Sequence, residues 1–253
     1  FMEAVEELAR QAGMTIPERD PDLQKQMDAQ SVLSEVMEKA VRYFRIMLKT
    51  QAGREATLYL KRRALSEETQ DRFDIGYAQD KRQGLLKALT DQGVREEQLI
   101  ECGLCIAPDN GGMPYDRFRN RIMFPIRDAR GRCIAFGGRA MDANARAKYL
   151  NSPETILFDK GRSLYNMGRA RPALGKKTPL IVSEGYMDVI ALSQAGFETA
   201  VAPLGTAITE NQLHMMWRLH SEPVVALDGD SAGLRAAYRL IDVALPHIDP
   251  KSA

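Results

Sequence analysis

Two short apolar runs that each end in acid constrain this chain more than any other feature. Leu180-Ile181-Val182 leads into Ser183-Glu184-Gly185-Tyr186-Met187-Asp188, and Val224-Val225-Ala226-Leu227 leads into Asp228-Gly229-Asp230-Ser231-Ala232-Gly233. Brief β-branched runs bounded by Pro and Gly predict strands, and the periodic segments after them, Val189 to Ala195 and Leu234 to Leu245, predict helices. Ala200-Val201-Ala202 predicts a third strand. Thr209 stands three before Gln212, a capping-box spacing that opens a helix through about Leu219. The βαβαβα order calls for a parallel sheet with right-handed crossovers, in which ligands bind beyond the carboxyl ends of the strands. Glu184, Asp228 and Asp230 all fall on that edge.

Ionised carboxylates gathered at one edge repel unless a cation joins them. Hard oxygen ligands suit Mg²⁺ or Mn²⁺, and magnesium takes one or two carboxylates and completes its shell with water and phosphate. Gly185 and Gly229 leave room beside the acids for a backbone or phosphate. The chemistry this favours is metal-assisted phosphoryl transfer. Taken singly, each half has a plainer reading. Asp-Gly-Asp after a strand is a common turn, and Glu184 alone is an acid at a helix start. An EF-hand is excluded, because the twelfth position from Asp228 is Arg239 rather than Glu. The pair on neighbouring strands carries the argument.

At 253 residues the chain allows one large or two modest domains, and 44% hydrophobic with 27% charged residues is ordinary globular composition. No run approaches the ~18 apolar residues of a membrane span, and the N-terminus is acidic, so neither a span nor a signal peptide is expected. A cytoplasmic location follows as an expectation. The initial Phe1 suggests a fragment of a longer protein. Cys102 and Cys105 form a CxxC, but His214, His220 and His247 lie far downstream, so reduced, partly buried thiols are expected rather than structural zinc.

The net charge of +1 hides an uneven distribution. From Arg117 to Arg171 thirteen Lys or Arg face four Asp or Glu, whereas from Leu180 to Ala253 four face nine. A basic segment adjoining an acidic metal site suits an enzyme of polyphosphate or nucleic acid.

In chain order, Phe1 to about Pro17 predicts a short helix broken at Asp20-Pro21-Asp22, and Ser31 to Lys49 a long amphipathic one. Glu55 to Leu65 predicts another, with Arg62 and Arg63 at its end. Thr69 to Ala78 predicts a helix end entering a strand, followed by small helices over 84–92 and 95–102. Arg117, Arg119 and Arg121 alternate with Phe118 and Asn120, which as a strand puts three guanidiniums on one face, suited to phosphate. Arg132 to Arg139 predicts the return strand of a hairpin. Gly137 and Gly138 expose amides beside Arg139. On composition, Lys148 to Thr155 and Phe158 to Tyr165 read as loop and helix cap.

Glu184-Gly185-Tyr186-Met187-Asp188 with Asp228-Gly229-Asp230-Ser231-Ala232-Gly233 resembles the Toprim signature of primases, topoisomerases, nucleases and recombination-repair proteins. With Pro203-Leu204-Gly205-Thr206-Ala207 between them, the order resembles the bacterial replicative DNA primase family, the DnaG type. The resemblance runs from Val5-Glu6-Glu7-Leu8-Ala9 to Ala244-Leu245-Pro246. It implies an α/β fold, a mixed α/β basic N-terminal subdomain over 1–172 and a C-terminally incomplete Toprim subdomain over 173–253 with the parallel βαβαβα sheet. Glu184, Asp228 and Asp230 would be catalytic and hold Mg²⁺ or Mn²⁺, with Asp188 an auxiliary ligand. Tyr59-Leu60-Lys61-Arg62-Arg63-Ala64-Leu65 resembles a family segment that supplies an active-site arginine, which falls on Arg63, and has Ala64 where that pattern has Gly. Arg117, Arg119, Arg121, Arg139, Lys148, Asn151 and Lys160 would form the basic groove for template or nucleotide.

The implied activity is template-directed synthesis of short RNA primers on single-stranded DNA from ribonucleoside triphosphates, in the nucleoid and away from membrane. The family pattern places a zinc ribbon before this chain, and after it further acidic residues, a helical segment and a domain that docks on the replicative helicase. These residues alone are therefore expected to bind metal and nucleotide weakly and to make little RNA. A topoisomerase needs a nucleophilic Tyr in a large separate domain, for which the chain is short. A non-catalytic single-stranded nucleic-acid-binding fragment of a Toprim protein is the alternative. The primase reading requires Glu184 and Asp228 within about 8 Å, the span of two carboxylates sharing a metal, and the guanidiniums of Arg119 and Arg139 turned toward their cavity.

Overall fold

The structure is a computed structural model that describes residues 2–13, 21–175, 178–205 and 208–248. Phe1, Pro17, Asp20, Thr206 and Ala207, all used in the sequence reading, lie outside the described residues. The chain divides into two compact units, Phe1–Val32 and Leu33–Ala253. The first holds α1 (Met2–Gln11), where Glu7 and Arg10 pair one turn apart, and the start of α2 (Pro21–Leu48). That helix begins ten residues before the expected Ser31. Pro21, read as a breaker, occupies a first-turn position, where its missing N–H costs no helical bond and its fixed φ suits the helix.

In the second unit α2 buries Val36, Met37, Val41 and Phe44, the expected apolar stripe. Then come α3 (Arg54–Arg62), α4 (Glu67–Arg72), β1 (Gly76–Ala78), α5 (Gly84–Thr90), α6 (Glu96–Glu101), β2 (Cys105–Ile106), β3 (Tyr115–Asp116), β4 (Arg121–Arg127), β5 (Cys133–Ala140), β6 (Tyr149–Asn151) and β7 (Leu164–Tyr165). Helix α7 (Met167–Ala173) precedes the alternating part: β8 (Ile181–Ser183), α8 (Tyr186–Gln194), β9 (Ala200–Pro203), α9 (Glu210–Leu219), β10 (Val224–Ala226) and α10 (Ser231–Ala244). A 3₁₀ turn, Leu245–His247, follows.

One sheet has the order β1-β4-β5-β6, all antiparallel. The other has the order β10-β8-β9-β7, in which β10, β8 and β9 are mutually parallel as the βαβαβα pattern requires. Its fourth strand, β7, is antiparallel and comes from the segment before residue 173. Thr209 caps α9 as its spacing predicts: Gln212 N–H donates to Thr209 Oγ1 at 3.2 Å, and Thr209 N–H to Gln212 Oε1 at 3.0 Å. A single core cluster contains Ile122, Phe124 and Ile126 of β4 together with Tyr186, Val189 and Ile190 of α8, so the two sheets share their packing.

Two expectations need correction. The strand expected from Arg117 begins only at Arg121, because Asn120 takes a left-handed backbone at φ 49° that no continuous strand admits. Arg117, Arg119 and Arg121 therefore do not share one strand face. Tyr149–Asn151, expected as loop, is a strand paired to Gly137–Arg139. The turn after α3 keeps its form without glycine. Ala64 adopts φ 58°, Leu65 N–H donates to Leu60 O and Ala64 N–H to Lys61 O, the two bonds of a Schellman motif.

Candidate metal and nucleic-acid site

Strands β8 and β10 lie side by side with Ser183 opposite Ala226, so Glu184 and Asp228 leave the sheet at the same edge. They touch: Asp228 N–H donates to Glu184 Oε1 at 3.1 Å. Gly233 makes that approach possible, since a Cβ there would run into the Asp228 carbonyl oxygen and come within 2.8 Å of Glu184 Oε1. Asp188, in the first turn of α8, reaches back to accept the Gly185 N–H at 3.1 Å. Lost hydration, and second the neighbouring Asp228 charge, push its carboxyl above the ordinary aspartate range, while Arg63 pulls the other way. Asp230 caps α10: its Oδ1 accepts from Ala232 N–H and Gly233 N–H, and these bonds hold its carboxyl below the usual range.

Glu184, Asp188 and Asp228 line a cleft of about 780 Å³ together with Arg63, Arg117, Lys148 and Lys160. Asp230 is not among the lining residues. The remaining predicted cations separate from this set. Arg119 lines a neighbouring cavity with Arg117, Arg121, Asp80 and Asp142, and that cavity shares only Arg117 and Leu150 with the acid cleft. Arg121 spends its guanidinium on the carbonyls of Gly138 and Ala147 at 3.1 Å. Arg139 stacks on the Tyr59 ring, 4.1 Å from its centroid, and donates to Ala140 O. Neither Arg119 nor Arg139 is among the residues lining the acid cleft: Asn120 breaks the strand face that alternation assigned to Arg119, and Arg139, on β5, is held against Tyr59.

Asn151 lines the cleft, but its amide is committed within the protein. Its Oδ1 accepts the Tyr186 hydroxyl at 2.7 Å, its Nδ2 donates to Leu204 O at 2.8 Å, and its carbonyl accepts Arg117 Nη2 at 3.2 Å. It positions the cleft wall. Tyr186, which sequence reasoning used only as a motif letter, stacks on Phe124 with centroids 5.1 Å apart and lies where a side chain at residue 137 would stand. Gly137 opposite Tyr186 was the legible signal for that contact. Cys102, Cys105 and Cys133 are free and buried more completely than expected.

Residues 43–171 match the family description "DNA primase catalytic core, N-terminal domain", and residues 178–251 match the Toprim domain. The chain belongs to the DnaG-type bacterial primase family. It is 43% identical to the DNA primase of Pseudomonas putida over 251 residues, covering 98% of this chain and 38% of that protein. Against the Escherichia coli DNA primase the identity is 39% over 250 residues, covering 98% and 43%. The chain thus spans about two fifths of the curated primases it matches. Among solved structures, a DnaG primase catalytic domain bound to ssDNA superposes with TM-score 0.78 at 39% identity, covering 88% of this chain and 69% of that one. The RNA polymerase domain of Mycobacterium tuberculosis DnaG with a double-stranded DNA oligomer bearing a 6-nucleotide overhang gives 0.77 at 32%, covering 84% and 68%. The mixed α/β fold with a Toprim domain is the DnaG core fold.

Toprim and primase families are metal-dependent. The donor set here fits a hard cation, being carboxylate oxygen throughout. Among the described residues, the one trio whose ligand atoms lie within 4.8 Å of one another is Glu210, His214 and His247, away from these acids. The acid cleft is accordingly an open arrangement. Each ion there would take one or two carboxylates and leave room for water and phosphate, the habit of magnesium rather than of a closed cage. Among the described residues no helix is long and apolar enough to cross a membrane.

Proposed function

We propose that this chain carries the nucleotidyl-transfer centre of a primase that makes short RNA primers on single-stranded DNA from ribonucleoside triphosphates, acting at the replisome in the nucleoid. The observation that supports it is the hydrogen bond from Asp228 to Glu184 inside a cleft that four cations also line. In this reading Glu184 and Asp228 would hold Mg²⁺ or Mn²⁺, with Asp188 auxiliary; Asp230, which caps α10 outside the cleft lining, has its second carboxylate oxygen left to join them. Held by Glu184 and Asp228, such a cation would supply Lewis-acid activation of the attacking 3′-hydroxyl and charge stabilisation at the transferring and leaving phosphates.

The chain's own groups do the rest. Arg63 and Arg117 grip phosphate oxygens through planar forks, and Lys148 and Lys160 add point charges along the cleft. Arg119 and the outer edge of Arg121 extend that path into the neighbouring cavity and track template. The Arg139–Tyr59 stack borders it. Because phosphate contacts carry no base information, template binding is weakly sequence-selective and falls steeply with salt. Residues 1–172 form the basic subdomain and 173–253 the Toprim subdomain. In the longer relatives' pattern, zinc belongs to a preceding ribbon, and a further domain meets the replicative helicase.

The test is Mg²⁺-dependent incorporation of labelled ribonucleotide on single-stranded DNA, with Mn²⁺ and nucleotide binding measured in parallel. Glu184→Ala and Asp228→Ala should abolish Mn²⁺ binding at the cleft while leaving the far-UV spectrum intact. If both variants bind metal and nucleotide as the parent does, the assignment is wrong.

A further inference from the structure

A second cluster of ligating atoms lies apart from the acid cleft and plays no part in the reading above. Glu210 opens α9, and His214 follows four residues later on the same helix face. His247 ends the 3₁₀ turn beyond α10. His214 Nε2 lies 3.5 Å from Glu210 Oε1, and His247 Nε2 lies 3.6 Å from the same oxygen. The two imidazole rings stand 4.9 Å apart at 74°, and the three ligand atoms all fall within 4.8 Å of one another.

These separations are long for N–H···O bonds, whose usual range ends at about 3.2 Å. They approach the edges of a coordination polyhedron instead: ligands about 2.0–2.1 Å from zinc at tetrahedral angles stand roughly 3.3–3.4 Å apart. Two imidazole nitrogens and one carboxylate, with two ligands spaced i and i+4 on a helix, form a set that borderline first-row ions take and Mg²⁺ does not favour. The side chains are 61%, 44% and 30% exposed, so an ion reaches them from solvent without burying charge. We propose that Glu210, His214 and His247 bind Zn²⁺ with a fourth position open to water, clipping the turn after α10 to the start of α9. The site is chemically distinct from the hard-cation cleft, and its occupancy stabilises the folded chain by mass action.

The chain supplies its own reporters. Trp217 is its only tryptophan, with its ring 6.0 Å from that of His214. Of the three histidines, His220 stands outside the cluster, its Nδ1 accepting the Glu222 N–H. Titration with Co²⁺ as a zinc surrogate should quench Trp217 emission with one-to-one stoichiometry, and Zn²⁺ should reverse it. In histidine-labelled protein Zn²⁺ should shift the ring signals of His214 and His247 and leave those of His220 in place. The double variant His214→Ala/His247→Ala should lose both responses, as should Glu210→Gln, which keeps the helix start intact; Asp228→Asn should keep them. Quenching that survives in the double variant, ring shifts at all three histidines, or no stoichiometric Zn²⁺ binding by the parent would each overturn the proposal.

Discussion

The Tyr186 hydroxyl donates a 2.7 Å hydrogen bond to Asn151 Oδ1, joining the first helix after the acid motif to the edge strand of the antiparallel sheet. Tyr186 is buried and its hydroxyl is committed to Asn151, so Tyr186→Phe isolates the bond. The variant should lose about 1 kcal/mol, the usual worth of such a bond with one partner left behind, and should keep Mn²⁺ affinity. Urea unfolding at constant m-value, with Mn²⁺ titration, measures both.

Ala64 occupies a left-handed position that costs an L-residue roughly 1–2 kcal/mol, and glycine's extra freedom when unfolded recovers part of that. Ala64→Gly should therefore stabilise by about 0.5–1 kcal/mol. A lower denaturation midpoint than the parent's would show that the turn is not held as described.

Gly233→Ala places a methyl group against the Asp228 carbonyl and Glu184 Oε1. The backbone must shift, separating the two acids at a cost of about 1–3 kcal/mol, as overpacking does. Metal affinity should fall far more than nucleotide affinity, read by Mn²⁺ titration and equilibrium dialysis. Equal loss of both would point to general misfolding.

Asp116 is buried and accepts the Leu85 and Leu86 N–H groups at 2.7 and 3.0 Å, yet burial outweighs these bonds and its carboxyl is raised above 3.8. The folded state thus binds its proton more tightly than the unfolded chain. Its contribution to stability is complete below 3.8 and declines as pH rises through the folded value. Unfolding free energies of the parent relative to Asp116→Asn should fall across that interval on raising pH; a difference that rises instead would contradict the burial argument.

Cys102, Cys105 and Cys133 are buried, and desolvation raises all three thiols, Cys102 to about 12. Thiol-specific reagents at pH 8 should label none of them in the native chain and all three in denaturant, counted by mass spectrometry.

The alternating half of the fold was legible because each element carried two agreeing signals, as where the Thr209–Gln212 box coincides with an apolar period. The convergence of Glu184 and Asp228 followed from topology alone. The fate of the arginines did not. Arg121 and Arg139 have the same chemistry as Arg63, but carbonyl groups and an aromatic face claim them, and only packing decides which cation meets solvent. Arg127, counted in the basic segment, is neutralised by Glu38 and Asp74. Asn120 could not be foreseen as the break in a strand, since asparagine adopts left-handed backbone only where its surroundings require it. His214 and His247, 33 positions apart with no motif between them, become neighbours only through the packing of the last turn against α9.

Leu164 and Tyr165 pair with Pro203 and Ala202 at the far margin of the parallel sheet. The seam in the sequence and the seam in space are therefore different lines. Any gene fusion or truncation that divides this chain near residue 172 tears one strand from a ladder and leaves β9 with a bare row of amides and carbonyls, an invitation to aggregation. A portable fragment of this region keeps that ladder whole only if it begins before Leu164.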